Sequence, residues 1–208
     1  MLRPPEIRHR AGDSPFGTGI LAACNIKMGD LVMSERPLLV VPTAPPLAEE
    51  QSFQFEAISL VPICIMQPAA CTAFFKLHNM HTEDGSGPIF GRIRTNCIQV
   101  PLKSEDGTRT GVNFVYSAIF NEILYINHSC IPNVVHRFSV ASFSGEVLAI
   151  RDIKKDEELF MAYCDISMPA VECWARLEQY SFQCTCPACS TPTLEGDECV
   201  STRVPNKE

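Results

Sequence analysis

The sequence predicts a mainly β fold with a helical insert, closed at its C-terminal end by a cysteine-rich lobe. Short apolar runs broken by Gly and Pro fill both halves of the chain, a helical apolar spacing fills Ser52 to Met80, and three thiols crowd into Cys184, Cys186 and Cys189. Apolar runs alternating with turn residues mark strands, whereas apolar residues recurring about every third or fourth position mark helices.

Residues 1–15 read as an N-terminal extension. The runs Gly19–Cys24, Asp30–Met33 and Leu38–Val41, separated by Gly29-Asp30 and Pro37, predict two or three strands joined by tight turns. Pro42 to Pro46 is a stiff connector. Phe53, Phe55, Ile58, Leu60 and Val61, then Phe74, Phe75, Leu77 and Met80, predict two helices separated by Pro62 and Pro68, so the helical insert occupies about 48–92. His81 to Gly91 reads as an exposed loop. Strand character returns at Ile93, Ile98 and Val100 and again at Val112, Phe114 and Val115, with Asp106-Gly107 between them as a hairpin signal. Val134–Val140 and Glu146–Ile150 flank Ser144-Gly145 as a second hairpin, and Glu158–Tyr163 follows the charged turn Lys154–Glu157 as a short strand. Ser167 and Pro169 then open a helix with an apolar stripe of Val171, Trp174, Leu177 and Tyr180. Residues 191–208, rich in Pro, Thr and acids, read as a disordered tail.

The composition excludes several classes. Apolar residues make up 46% of 208, which rules out wholesale disorder, and no uninterrupted apolar run reaches the roughly 18 residues of a membrane span. Met-Leu-Arg-Pro-Pro-Glu lacks the apolar core of a secretory signal, so the cytosol or nucleus is the expected compartment. Eleven cysteines, an odd number, then argue for reduced thiols and a metal rather than a disulfide framework. The 17 Lys and Arg against 24 Asp and Glu leave a net charge of −7, with no basic block. That argues against nucleic acid gripped through its phosphates, and fits a basic partner such as a Lys-rich protein segment.

Cys184, Cys186 and Cys189 suit a tetrahedral zinc site, because neighbouring turn residues can aim their sulfurs at one ion. Three ligands need a fourth. Cys130, in Asn127-His128-Ser129-Cys130-Ile131-Pro132-Asn133, is the best candidate because it sits among polar and turn residues, a buried core thiol being the alternative. Cys64, Cys71, His78 and His81 do not make a second site: no Cys-x-x-Cys is present among them, and the first three recur at a seven-residue interval in apolar sequence. These thiols read as buried on helices, and Cys24, Cys97, Cys164 and Cys173 as core residues. A Cys-His nucleophile pair at His128 and Cys130 is less economical than zinc and ligand roles. The run Asp156-Glu157-Glu158 reads as a solvated turn.

Five segments in order resemble the SET-domain protein lysine methyltransferases, and within them the SMYD branch without its MYND finger. They are Gly17-Thr18-Gly19-Ile20-Leu21-Ala22, Arg94-Thr95-Asn96, the Asn127–Asn133 segment, Glu157-Glu158-Leu159 with Tyr163, and Tyr180-x-Phe182-x-Cys184-x-Cys186-x-x-Cys189. The resemblance implies a SET (β-clip) fold over 16–166 with a threaded segment at Asn127–Asn133, and a zinc-binding post-SET segment over 167–190. It also implies S-adenosylmethionine as cofactor and transfer of its methyl group to a protein lysine, with histone and non-histone substrates both open.

By the same resemblance, Gly17, Thr18, Gly19, Asn96, Asn127 and His128 bind the cofactor, aided by Tyr180 and Phe182. Tyr163 is the catalytic tyrosine, Tyr163, Tyr180 and Phe182 line the lysine channel, and Cys130 completes the zinc site with Cys184, Cys186 and Cys189. These roles suit the residue types. Methyl transfer is an in-line displacement that needs alignment and a dry site, and aromatic walls attract a methylammonium while shedding water. The sulfonium charge and desolvation both lower the lysine's pKa, so no dedicated base is required. The chain departs from SMYD relatives in lacking the MYND finger and the long helical C-terminal region, and in carrying Asp156 where they often have Gly. The rival from another class is a catalytically silent SET module that acts as a zinc-stabilised interaction domain. A zinc module binding nucleic acid is disfavoured by the acidic charge. Membrane attachment is not expected, and the oligomeric state is left open.

Overall fold

The computed structural model describes residues 9–14, 17–43, 49–100, 116–168 and 170–190. The expectations for Asp106-Gly107, Val112–Val115, Pro169 and the tail lie outside the described residues, as do Phe16 and most of the Pro42–Pro46 connector. The strands are β1 (His9–Ser14), β2 (Gly17–Ala22), β3 (Leu31–Glu35), β4 (Leu39–Pro42), β5 (Ile98–Val100), β6 (Tyr116–Ile119), β7 (Asn127–His128), β8 (Val134–Ser139), β9 (Ser144–Ala149) and β10 (Phe160–Met161). The helices are α1 (Glu49–Cys64), α2 (Pro68–Lys76), α3 (Phe90–Asn96), α4 (Ala170–Leu177) and α5 (Pro187–Ser190). The chain divides into two units, one formed by 1–34, 125–137 and 146–208, the other by 35–124 and 138–145.

In the first unit β1 pairs antiparallel with β2 from His9↔Ala22 to Ser14↔Gly17. This strand was not foreseen: His9 to Ser14 is short on apolar residues, and only its partner makes it β. The turn before β3 is as predicted. Asp30 accepts from the Lys27 N–H and donates its own N–H to the Lys27 carbonyl, and Gly29 takes φ 86°, where a Cβ is costly. A three-stranded sheet runs β3–β9–β8, its hairpin turning at Val140–Phe143 rather than at Ser144-Gly145, which belong to β9. Ile20, Ala22, Ile26, Val32, Val134, Val147, Ala149, Ile153 and Leu159 are buried, each full aliphatic side chain contributing about 1.5–3 kcal/mol.

The segment from Asn127 to Asn133 is stitched to the 158–161 stretch. β7 pairs parallel with β10, Ser129 N–H donates to Met161 O, and Asn133 N–H donates to Phe160 O. The Asn133 side chain, 1% exposed, donates to Glu158 O at 2.7 Å and accepts from Phe160 N–H at 2.7 Å. A buried amide with both ends satisfied fixes the register of that short pairing. The predicted strand Glu158–Tyr163 is therefore only the two residues of β10, the flanking residues being spent on such side-chain and loop bonds.

In the second unit β4–β6–β5 form an antiparallel sheet with Leu39↔Ile119 and Ile98↔Ala118. Its core is Leu39, Ile63, Phe74, Leu77, Ile89, Ile93 and Ile119. Here the structure corrects four expectations. Ile93 lies on helix α3, whose N-terminal N–H groups at Ile89 and Phe90 donate to the Glu56 carboxylate, a remote cap that local sequence does not reveal. α1 runs through Pro62 to Cys64, although Pro62 has no N–H to offer the Ile58 carbonyl. Ile58, Leu60 and Val61 are 66%, 49% and 65% exposed, and Cys64 is exposed as well. In the first unit, α4 buries Leu177 as predicted, with Cys173 beside it, and leaves Val171, the first residue of the predicted stripe, 70% exposed.

Candidate active site and metal centre

The site residues of the first unit gather on the Asn127–Asn133 segment, the end of β10 and the turn after α4. Cys130, Cys184, Cys186 and Cys189 offer sulfurs that all lie within 4.8 Å of one another. Cys130 Sγ is 3.9 Å from Cys184 Sγ and 3.5 Å from Cys189 Sγ, too far for disulfides. Tetrahedral zinc with Zn–S bonds near 2.3 Å separates its sulfurs by about 3.8 Å, so the four thiols fit that ion. Their ionisation agrees. The Cys184 thiol is held low by hydrogen bonding from the Cys130 side chain, with His128 adding a further bond, while Cys130 is pushed up by that same partnership and by burial. Burial also pushes Cys189 up to about 11. Four thiolates cannot coexist unaided in so small a volume, and a dication is what removes the repulsion.

Against this cluster pack Tyr163 and Tyr180. Ring centroids lie 5.2 Å apart for Tyr163–Tyr180, 6.4 Å for Tyr163–Phe182 and 5.3 Å for His128–Tyr163. These are the tilted and edge-on spacings that aromatic rings favour. Tyr163 Oη–H donates to the Ile126 carbonyl at 2.8 Å, and burial raises its pKa, so it stays a neutral phenol with its oxygen lone pairs left as acceptors. The left-handed Ser181 (φ 53°) turns the chain between Tyr180 and Phe182. Phe182 is partly exposed.

At the other edge lies Gly17-Thr18-Gly19, which the structure makes the start of strand β2 rather than a turn. Gly17 has φ 105° and open space where a Cβ would point, which is the cradle a ligand could occupy. Gly19 is required for a different reason: a Cβ there would sit 2.5 Å from Glu158 Oε1 and 3.2 Å from Asn127 Nδ2. Glu158 accepts from Asn127 Nδ2 at 2.8 Å and from Ser14 Oγ at 2.9 Å. The acidic run is thus no mere solvated turn: Glu157 accepts from Lys154 N–H and pairs with Arg151, and Asp156, at φ 66°, pairs with Arg10. The jobs of Glu158 and Asn133 were missed in the sequence. Their position around the short β7–β10 pairing, not their type, gives them meaning.

His128 is 7% exposed, and its ring is engaged on both sides. Nδ1 accepts the Tyr163 N–H at 3.1 Å, and Nε2 faces Cys130 Sγ at 3.5 Å. Asn96 belongs to the second unit, where its Nδ2 donates to His78 O at 2.7 Å and Arg92 O at 2.8 Å.

The SET domain family profile matches residues 17–164. The sequence is 31% identical over 118 residues to N-lysine methyltransferase SMYD2-A of Xenopus laevis, covering 56% of this chain and 26% of that one. It is 32% identical over 125 residues to human N-lysine methyltransferase SMYD2, covering 59% and 27%. Histone-lysine N-methyltransferase set5 of Schizosaccharomyces pombe is 27% identical over 175 residues, covering 84% of this chain and 47% of that one. This chain belongs to the SET-domain family. It spans about a quarter of the length of the SMYD2 relatives it matches and under half of set5.

Proposed function

We propose that the chain transfers a methyl group from S-adenosylmethionine to a lysine side chain of a protein, histones among the possible substrates, in the cytosol or nucleus. The observation that carries this is Tyr163: a half-buried neutral phenol in an aromatic wall, its proton committed to the Ile126 carbonyl and its lone pairs free to accept. The relatives named as N-lysine and histone-lysine methyltransferases support the same chemistry. The net charge of −7 favours a basic protein partner.

When bound, the cofactor supplies an electrophilic methyl on a sulfonium. Gly17, at the start of β2, leaves open space for its polar end, and Asn127, with its NH2 held by Glu158, presents Oδ1 as an acceptor. His128 contributes through its backbone, since its ring is already engaged. Asn96 is assigned to the same cofactor by the family resemblance, and Asn96→Ala tests it by affinity. Tyr180 and Phe182 shed water from the lysine stem, and the Tyr163 oxygen accepts from the amine N–H, aligning the nitrogen lone pair for attack. The lysine proton leaves to solvent before transfer, so no side chain here need act as base. Zinc on Cys130, Cys184, Cys186 and Cys189 holds the wall in place. Calorimetric titration with S-adenosylmethionine tests the reading at its first step: saturable one-site binding is expected, and no detectable heat at millimolar ligand would contradict it.

A further inference from the structure

Tyr163 packs against the thiol cluster, and the His128 ring adds a polar link between the two. Its Nδ1 lies 3.1 Å from the backbone nitrogen of Tyr163, which can only donate, so Nδ1 is the unprotonated acceptor. In the neutral ring the proton then belongs to Nε2, and Nε2 is 3.5 Å from Cys130 Sγ. Burial at 7% exposure, and ring packing on Tyr163 and Phe182 at 5.3 and 6.0 Å, hold the imidazole in this orientation.

We infer that His128 is a positioning residue that couples the metal centre to Tyr163, its Nε2–H donating to the Cys130 sulfur while its Nδ1 anchors the Tyr163 backbone. The inference rests on the reading of the four cysteines as a zinc site. A hydrogen bond to a metal-bound thiolate spreads its charge and fixes its direction, and loss of such an outer partner lowers metal affinity by about ten- to a hundredfold. At the other nitrogen the same ring sets the height of the chain where the phenol is mounted. The metal site and the tyrosine are therefore one mechanical element, although Tyr163 is far from Cys184 in sequence. This differs from a cofactor role for the imidazole, because both of its nitrogens are already committed within the protein.

Two substitutions separate the two bonds. His128→Asn places an amide oxygen where Nδ1 sits and supplies no donor to sulfur, whereas His128→Gln extends an amide nitrogen toward the thiols and supplies no acceptor to Tyr163. The full chain, labelled with 15N-tyrosine, contains four tyrosines, and Tyr163→Phe identifies the Tyr163 signal by its loss. Zinc affinity is read by competition with a chromophoric chelator, and the Tyr163 amide by its hydrogen exchange. His128→Asn should lose zinc affinity by about ten- to a hundredfold while keeping the Tyr163 amide protected. His128→Gln should hold zinc near the wild-type affinity while Tyr163 exchange speeds up by about tenfold or more, the change expected when one net hydrogen bond is lost. Zinc held by His128→Asn as tightly as by wild type, or unchanged Tyr163 exchange in His128→Gln, overturns the inference. A wild-type chain that takes up no zinc defeats the metal reading itself. Should either variant fail to fold, the nitrogen shifts of 15N-histidine in the wild-type protein decide instead: a protonated Nε2 and bare Nδ1 on His128 are expected, and a proton on Nδ1 rules the arrangement out.

Discussion

Tyr163 shows how much a residue type leaves unsaid. In the sequence it is one tyrosine at the end of an apolar run, and only the family resemblance lifted it above an ordinary half-buried strand residue. Its hydrogen bond to Ile126 O gives the physical reason for a role: the phenol cannot donate to the incoming amine and must accept from it. Tyr163→Phe keeps the ring and removes that acceptor. Cofactor affinity should stay near wild type while turnover falls by roughly a hundredfold, corresponding to a positioning bond of about 3 kcal/mol in a dry site. Equal loss in both would make the residue structural. Gly19 was legible as a glycine of the first resembling segment, but the crowding around it in β2 was not, because that comes from Glu158, far away in the chain. Gly19→Ala should push the Glu158 carboxylate off Asn127 and Ser14 and destabilise the fold by about 1 kcal/mol, measured by denaturant unfolding, since its Cβ would meet Glu158 Oε1 at 2.5 Å.

At the scale of elements, those with strong local signals were readable and those made by partners were not. The Gly29-Asp30 turn, β2, β4, α2 with Pro68 at its start, and the thiol-rich turn all announce themselves by spacing. β1 and α3 do not. The first is polar and becomes a strand by pairing with β2, and the second takes its cap from Glu56 on another helix. In α4 the predicted stripe holds at Leu177 and fails at Val171, which is exposed because apolar spacing alone does not show where a helix leaves the core. The thiol cluster anchors the chain that follows α4, since Leu177, Tyr163 and Tyr180 pack on it. Cys186→Ser should leave a three-sulfur site that surrenders its zinc to a chelator, and unfolding should then lose its metal dependence. Full zinc retention by the variant, measured by metal analysis after dialysis, would remove Cys186 from the ligand set.

For the molecule as a whole, the mainly β class with a helical insert was legible from the Gly and Pro punctuation, and the division into two contact units was not, because each unit is assembled from separated stretches of chain. Among the described residues no helix is long and apolar enough to cross a membrane. Global stability should carry a pH signature from His136. Burial lowers its pKa to about 4, below the ordinary value near 6.5, so the unfolded chain binds a proton that the folded chain refuses. That stability is intact above about pH 6.5 and is lost as pH falls toward about 4, by on the order of 3 kcal/mol at most. Glu157, whose pKa is held down against its burial by Arg151 and Lys154 N–H, loses its share lower, as pH falls below the usual carboxylate range. Denaturant unfolding of wild type and His136→Gln between those pH values should therefore differ in slope, the variant being flatter.

The most direct test of the account is transfer of label. The zinc-loaded chain, incubated with S-adenosylmethionine carrying a radiolabelled methyl group and a panel of histones and cell extract, should place label on a protein, and hydrolysis of that protein should release the label as Nε-methylated lysine. Label recovered on another side chain, or none on any protein although the cofactor binds, would contradict it and leave a SET fold that binds without catalysing.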